Sequence, residues 1–214
     1  MLDDQNSLNA LVTALTPAQR DLVTAQTKTE FDDAFSALVL DAVRRLEKDS
    51  KNFVGLCEDG LSSLLCGFIS GSNALIVTRE ESSNGHVDLT FKAQLCKPQR
   101  EVLGEAKIFN YYNWHESGLS QLVERYSTGR EDRGLLLVYV KKDGIKDRME
   151  KLRDELDEKR PCGQTQASSK HNQIKWSFFT AHKHSSGEEI EIWHLGCNLH
   201  TPKKTAAPKK KAKK

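Results

Sequence analysis

The run Leu135-Leu136-Leu137-Val138-Tyr139-Val140 most constrains what this chain can fold into. It shows no polar–apolar alternation, so as a strand it needs cover on both faces. That points to an α/β body whose central mixed β-sheet is flanked by helices. A chain of 214 residues is long enough for one well-buried core with appendages. We expect a helical prefix over 1–52, a body over 53–200 and a tail over 201–214.

In the prefix, Thr16-Pro17 marks a helix start, with Thr as N-cap. Thr29 is expected to open a second helix. Phe31, Phe35, Leu38, Val39, Ala42, Val43 and Leu46 then recur at helical spacing, an apolar stripe for the body or for a second subunit. Glu58 to about Ser70 reads as a third helix. Its first-turn acids, Glu58 and Asp59, suit the positive end of the helix dipole without any chemistry. Strands follow at 74–78, 86–91 and 102–109, with Asn84-Gly85 as a hairpin turn. Glu116 to Tyr126 and 145–159 read as helices. Pro161 to Asn172 reads as a polar loop. Ile174–Thr180 and Glu189–Leu195 alternate like paired strands. His182 and His184 fall in the connection between them. Exposed turn histidines are the ordinary reading there, although a two-residue spacing also suits a metal.

Within the third of these strands lies Gly104-Glu105-Ala106-Lys107-Ile108-Phe109. Alternate side chains of a strand share a face, so Glu105 and Lys107 point one way and Ala106 and Ile108 the other. By itself Glu-x-Lys fits a surface ion pair. The preceding strand changes that reading. The midpoint between Asp88 and Glu105 falls between Cys96 and Lys97, in a turn-like segment. A regular antiparallel hairpin therefore sets Asp88 opposite Glu105, with Cβ atoms about 5 Å apart. Two carboxylates that close repel unless a cation joins them, which is the physical case for a metal site.

In chain order the pattern is a helix with Glu58, a strand with Asp88, a strand with Glu105-Ala106-Lys107, a helix with Gln121 and Tyr126, then the buried strand. Over about residues 55–200 this resembles the PD-(D/E)xK, restriction-endonuclease-like nuclease superfamily. It is similar in particular to small nuclease domains of bacterial mobile elements and phage defence. The resemblance implies a metal-dependent DNA endonuclease, a Mg-dependent deoxyribonuclease for which Mn2+ would substitute for Mg2+. It implies that Asp88 and Glu105 bind the metal, with Glu58 supporting it. Lys107 would orient or help deprotonate the attacking water, and Gln121 would help place Lys107 or DNA. Magnesium suits such a site because it is a hard ion that takes carboxylates. Val87 stands where the motif has proline. Tyr126 follows Gln121 by five residues rather than four, and on an α-helix that offset turns it away from the Gln121 face.

Charge divides the chain. Lys203, Lys204, Lys209, Lys210, Lys211, Lys213 and Lys214 form a tail without acids that cannot build a core and is expected to be disordered. Of the 32 basic residues, the other 25 face 30 acidic ones, so the body is near −5. Such an arm suits a polyanion, here DNA, bound with steep salt dependence. It would equally suit a non-catalytic DNA-binding module on a nuclease-like scaffold, which is the alternative reading. The five cysteines lack the close spacing of a zinc or redox motif and read as reduced thiols. No apolar run approaches the ~20 residues of a membrane span, and the N-terminus lacks the pattern of a signal peptide. We therefore expect a cytoplasmic bacterial protein, or a nuclear one in a eukaryote, with a homodimer or protein partner engaged through the prefix helices.

Overall fold

The computed structural model describes residues 10, 12–70, 75–79, 81–82, 86–96 and 98–202. The lysine tail lies outside them, as do Lys97 and the Asn84-Gly85 turn. Helix α1 (Pro17–Thr24) starts at Thr16 in a capping box with Gln19. Helix α2 (Lys28–Lys48) starts at Thr27, not at the expected Thr29. Thr27 forms the reciprocal capping box with Glu30. Its hydroxyl takes the Glu30 N–H, and the Glu30 carboxylate takes the Thr27 N–H at 3.0 Å. A short turn, α3 (Ser50–Phe53), leads to α4 (Glu58–Ile69).

The strands are β1 (Ile76–Thr78), β2 (Glu81–Ser82), β3 (His86–Val87), β4 (Leu89–Ala93), β5 (Arg100–Ile108), β6 (Arg133–Val140), β7 (Ser169–Lys170), β8 (Ser177–Lys183) and β9 (Glu189–Asn198). Helix α5 (Tyr112–Ser120) separates β5 from β6, and α6 (Ile145–Lys159) follows β6. The seven-stranded sheet runs β1-β4-β5-β6-β9-β8-β7, with β2 and β3 as a separate ribbon. β5, β6 and β9 are parallel to one another, and the flanking pairs are antiparallel. The chain is thus an α/β fold with a mixed sheet between helices. Every residue of β6 is buried, as its unbroken apolar run requires.

Two apolar cores result, one on each sheet face. Leu135, Leu137 and Tyr139 meet the stripe of α2 and α4. Leu136, Val138 and Val140 meet α5 and α6. Phe35 of α2 stands edge-on to Phe91 at 5.2 Å and to Trp193 at 6.3 Å. Edge-to-face rings at such distances are a favoured aromatic geometry. Buried Arg133 ties the same helix down by reaching both Asp32 of α2 and Glu191 of β9.

Three local expectations differ from the fold. The expected 86–91 strand is broken at Asp88, where the chain bends between β3 and β4. The strand expected from Ile174 starts only at Ser177, because Trp176 has φ of 57°. That left-handed conformation cannot continue a ladder. His182 and His184 are buried rather than exposed in a turn. β8 runs on to Lys183, so His182 lies inside a strand and on the covered face of the sheet.

Candidate active site

Site geometry begins with a register. Leu89 pairs with Gly104, and the ladder continues to Ala93 with Arg100. One step beyond its end, Asp88 stands opposite Glu105. Past Gly104, β5 loses its backbone partner on that edge. Its N–H groups at Ala106 and Ile108 point the same way and need other acceptors. Asp88 Oδ2 takes the Ala106 N–H at 3.2 Å, and Glu58 Oε2 takes the Ile108 N–H at 2.8 Å. Both carboxylates are therefore fixed by backbone amides at the end of one strand.

Lys107 gathers the acids. Its Nζ lies 2.5 Å from Glu105 Oε1, 3.5 Å from Glu58 Oε1 and 3.9 Å from Asp88 Oδ2. Glu105 is 1% exposed. Burial raises its pKa to about 7, and the Asp88 and Glu58 carboxylates add to this against the lowering effect of Lys107. Burial by itself would pull Lys107 down. Its hydrogen bond to Glu105 and the surrounding acids outweigh that, and the net shift is upward. At neutral pH Lys107 is thus an ammonium: a donor and a positive charge rather than a base.

Glu105 Oε2 is buried and has no hydrogen-bond partner. A buried carboxylate oxygen left unpaired is costly. With the Asp88 and Glu58 carboxylates around the same Lys107 ammonium, the donors here are hard oxygens, the chemistry a divalent cation such as Mg2+ accepts. Among the described residues no three His, Cys, Asp or Glu side chains already share a metal-sized centre; the Lys107 ammonium is what they converge on.

Of the sequence candidates, Glu58, Asp88, Glu105 and Lys107 come together. Gln121 does not hydrogen-bond any of them, and its amide oxygen is buried without a partner. It opens a π-helical extension of α5, Gln121–Tyr126, which passes smoothly from the preceding helix. The Ser127 N–H reaches back five residues to the Leu122 carbonyl at 3.2 Å. Such a turn holds more residues than an α-helical one, so the five-residue offset turns Tyr126 less far from Gln121 than an α-helix would. Tyr126 is buried, and its hydroxyl pKa is raised by burial and by the Glu105 and Asp88 carboxylates. It is a neutral hydroxyl within the field of the site.

Sequence reasoning missed Gly118. A Cβ placed there would lie 3.1 Å from Leu136 Cδ1, 3.2 Å from Glu105 Cγ and 3.3 Å from Lys107 Cε. The missing side chain lets α5 close directly over the Glu-x-Lys pair. The Gly118→Val protein is expected to keep its fold with a loss of about 1–3 kcal/mol from overpacking. Any activity of the site should drop disproportionately, because two of the three side chains that must shift are Glu105 and Lys107. Paired thermal melts and activity assays check this; equal activity at reduced stability would refute it.

No helix of the described residues is long and apolar enough to cross a membrane. A scan against protein-family models finds no match, and comparisons with curated proteins and with solved structures find none either.

Proposed function

We propose that this chain is a metal-dependent DNA endonuclease of the PD-(D/E)xK type, hydrolysing phosphodiester bonds. The observation that carries the reading is the buried Glu105 carboxylate. It is forced beside two further acids and one ammonium, with an oxygen that nothing among the described residues satisfies. Asp88 and Glu105 would hold Mg2+, with Glu58 in support. The ion would supply Lewis-acid polarisation of a phosphoryl oxygen. Lys107 would donate to the attacking water or to the phosphate, and its charge would offset the negative charge that builds up there. Tyr126 would offer a neutral hydroxyl donor. The order α4, β1, the β4–β5 hairpin, α5 and the parallel strand β6 agrees with the resemblance read from the sequence.

A second reading is a non-catalytic DNA-binding module. In its favour, Asp88 and Glu58 already cap backbone amides and Lys107 already neutralises Glu105, so the cluster partly satisfies itself. The two readings separate on supercoiled plasmid. The nuclease should nick or linearise it with Mg2+ or Mn2+ and leave it intact in chelator. An intact plasmid under every metal condition, with binding retained, selects the binding module.

A further inference from the structure

The segment that leaves β5 is aromatic, Phe109-Asn110-Tyr111-Tyr112-Asn113-Trp114, with Tyr112 buried and Tyr111 and Trp114 exposed. Tyr111 is 74% and Trp114 55% exposed, two of the five large apolar side chains so exposed among the described residues. Tyr111 is the extended N-cap of α5 and Trp114 lies in its first turn, its N–H donating to the Tyr111 carbonyl at 3.2 Å. Tyr111 is three residues past Ile108, whose amide Glu58 holds, so it stands within roughly 11 Å of that strand end.

Beside Tyr111 is a groove of about 550 Å3 between this segment and α6. Lys142, Arg148, Lys151 and Lys159 line it against a single acid, Glu155. On a body whose formal charge is near −5, this is a local excess of positive charge beside the candidate site. Its carboxylate pairs are long, while Arg148 Nε also donates to the Asp143 carbonyl at 2.7 Å and Lys159 Nζ stands 3.7 Å over the Tyr112 ring. Glu155 lies 3.9 Å from Lys151 and 3.7 Å from Lys159, and Asp143 lies 3.7 Å from Arg148. Lys142 has no ion-pair partner among the described residues. Exposed pairs of this kind contribute little, so a phosphate can replace the carboxylates.

We infer that Tyr111, Trp114 and the Lys142–Arg148–Lys151–Lys159 groove form a track for a single-stranded DNA segment leading to the Glu105–Lys107 site. Aromatic faces beside a basic groove are how proteins bind single strands, with bases stacked on rings and the backbone following the charge. A duplex hides its base faces, so exposed rings gain nothing from it. The inference rests on the nuclease reading for what happens at the end of the track, and it narrows the substrate to DNA with a single-stranded part.

The test is equilibrium binding by the full chain, without metal, of a labelled oligothymidylate and of a duplex of equal length. The proteins compared are the natural one, Tyr111→Ala, Trp114→Ala, the double variant and Tyr111→Phe. The lysine tail is common to all, so differences report the track. The natural protein should prefer the single strand. Each alanine should weaken that binding about tenfold and leave duplex binding unchanged, while Tyr111→Phe keeps most of it. Both residues are exposed, and matched thermal melts confirm that each variant folds. Unchanged oligothymidylate binding by the double variant overturns the track and assigns the rings to a protein partner; equal affinity for duplex overturns it too. The nuclease reading fails separately. Aromatic-dependent binding without cleavage at any metal condition retains the track and removes the nuclease.

Discussion

Replacing Glu105 by glutamine should abolish Mg2+-dependent DNA cleavage and at the same time make the metal-free protein more stable at pH 8. The two effects share one cause. Burial and the neighbouring acids hold the Glu105 pKa at about 7, above the ordinary 4.5. At pH 8 the folded protein must therefore carry a buried carboxylate that the unfolded chain ionises freely. A raised carboxyl pKa means the native state binds more protons between those values, so this group's contribution falls as pH rises through that window. Glutamine has no charge to bury. Relief of about 1–3 kcal/mol follows from a shift of that size, or about 2–4 °C in melting midpoint per kcal/mol for a chain of this length. Cleavage should fall by at least about 10²–10³, the usual cost of losing one group that stabilises developing charge. Added Mg2+ should raise the midpoint of the natural protein, by mass action on the native state, and not that of Glu105→Gln. A variant that melts earlier than the natural protein at pH 8 would show that Glu105 is instead held in place by its ion pair with Lys107. Plasmid cleavage and thermal melts with and without Mg2+ read all three outcomes.

Stability should collapse steeply below about pH 6, and the cause lies away from the acids. Four buried polar groups form a chain: His115 Nε2 to His194 Nδ1 at 2.8 Å, His194 Nε2 to Thr180 Oγ1 at 2.7 Å, and Thr180 Oγ1 to His182 Nε2 at 2.7 Å. His182 Nδ1 meets the Cys162 carbonyl at 3.1 Å. A carbonyl only accepts, so His182 carries its proton on Nδ1 and its Nε2 accepts from Thr180. The Thr180 oxygen then accepts from His194 Nε2, and His194 Nδ1 accepts from His115 Nε2. All three rings are neutral in this arrangement, and His115 Nδ1 is left as a buried acceptor without a partner. Burial holds His115 down to about 3 and lowers His194 and His182 as well.

The sign follows from proton counts. The unfolded chain protonates these rings as pH falls through about 6.5, and the folded one does not, so the stability present above 6.5 is lost on acidification. His115 and His194, the two fully buried rings, each contribute about 1.4 kcal/mol per pH unit in that window, and His182 adds in the same direction. Glu105 acts oppositely with one proton, so His115 and His194 outweigh it. In the His115→Leu/His194→Leu protein both partners of one contact are removed together, which avoids leaving a single unpaired ring. Its stability should fall with pH about 3 kcal/mol per unit less steeply than that of the natural protein. Denaturant titrations between pH 4 and 7 measure the two slopes; parallel slopes would refute the account.

Much of the layering was legible in residues. The unbroken apolar run of β6 demanded cover on both faces, and α2 and α6 carried their stripes at helical spacing. The hairpin midpoint between Cys96 and Lys97 placed Asp88 against Glu105, because an antiparallel register is arithmetic once the turn is located. Helix α5 was less legible. It begins four residues before Glu116, and no sequence signal announces that its last turn widens into a π-helix. His182 and His184 were misread because their cover comes from segments distant in the chain: His182 meets the Cys162 carbonyl, 20 residues away, and His184 lies against the loop at Gly129. Trp176 looked like a strand residue because local β-propensity says nothing of a turn imposed by its neighbours.

The sequence by itself determined that this is an α/β chain with one acid–acid–lysine hairpin and a charge split between an acidic body and a basic arm. Those are matters of periodicity and counting, which local pattern carries. Only the tertiary structure decided that Glu58 joins the hairpin acids by capping the Ile108 amide, and that Gly118 lets a helix close on them. It also decided that Glu105 is buried deeply enough to titrate near neutrality. Burial and close approach are set by segments distant in the chain, and a carboxylate's chemistry follows from what surrounds it.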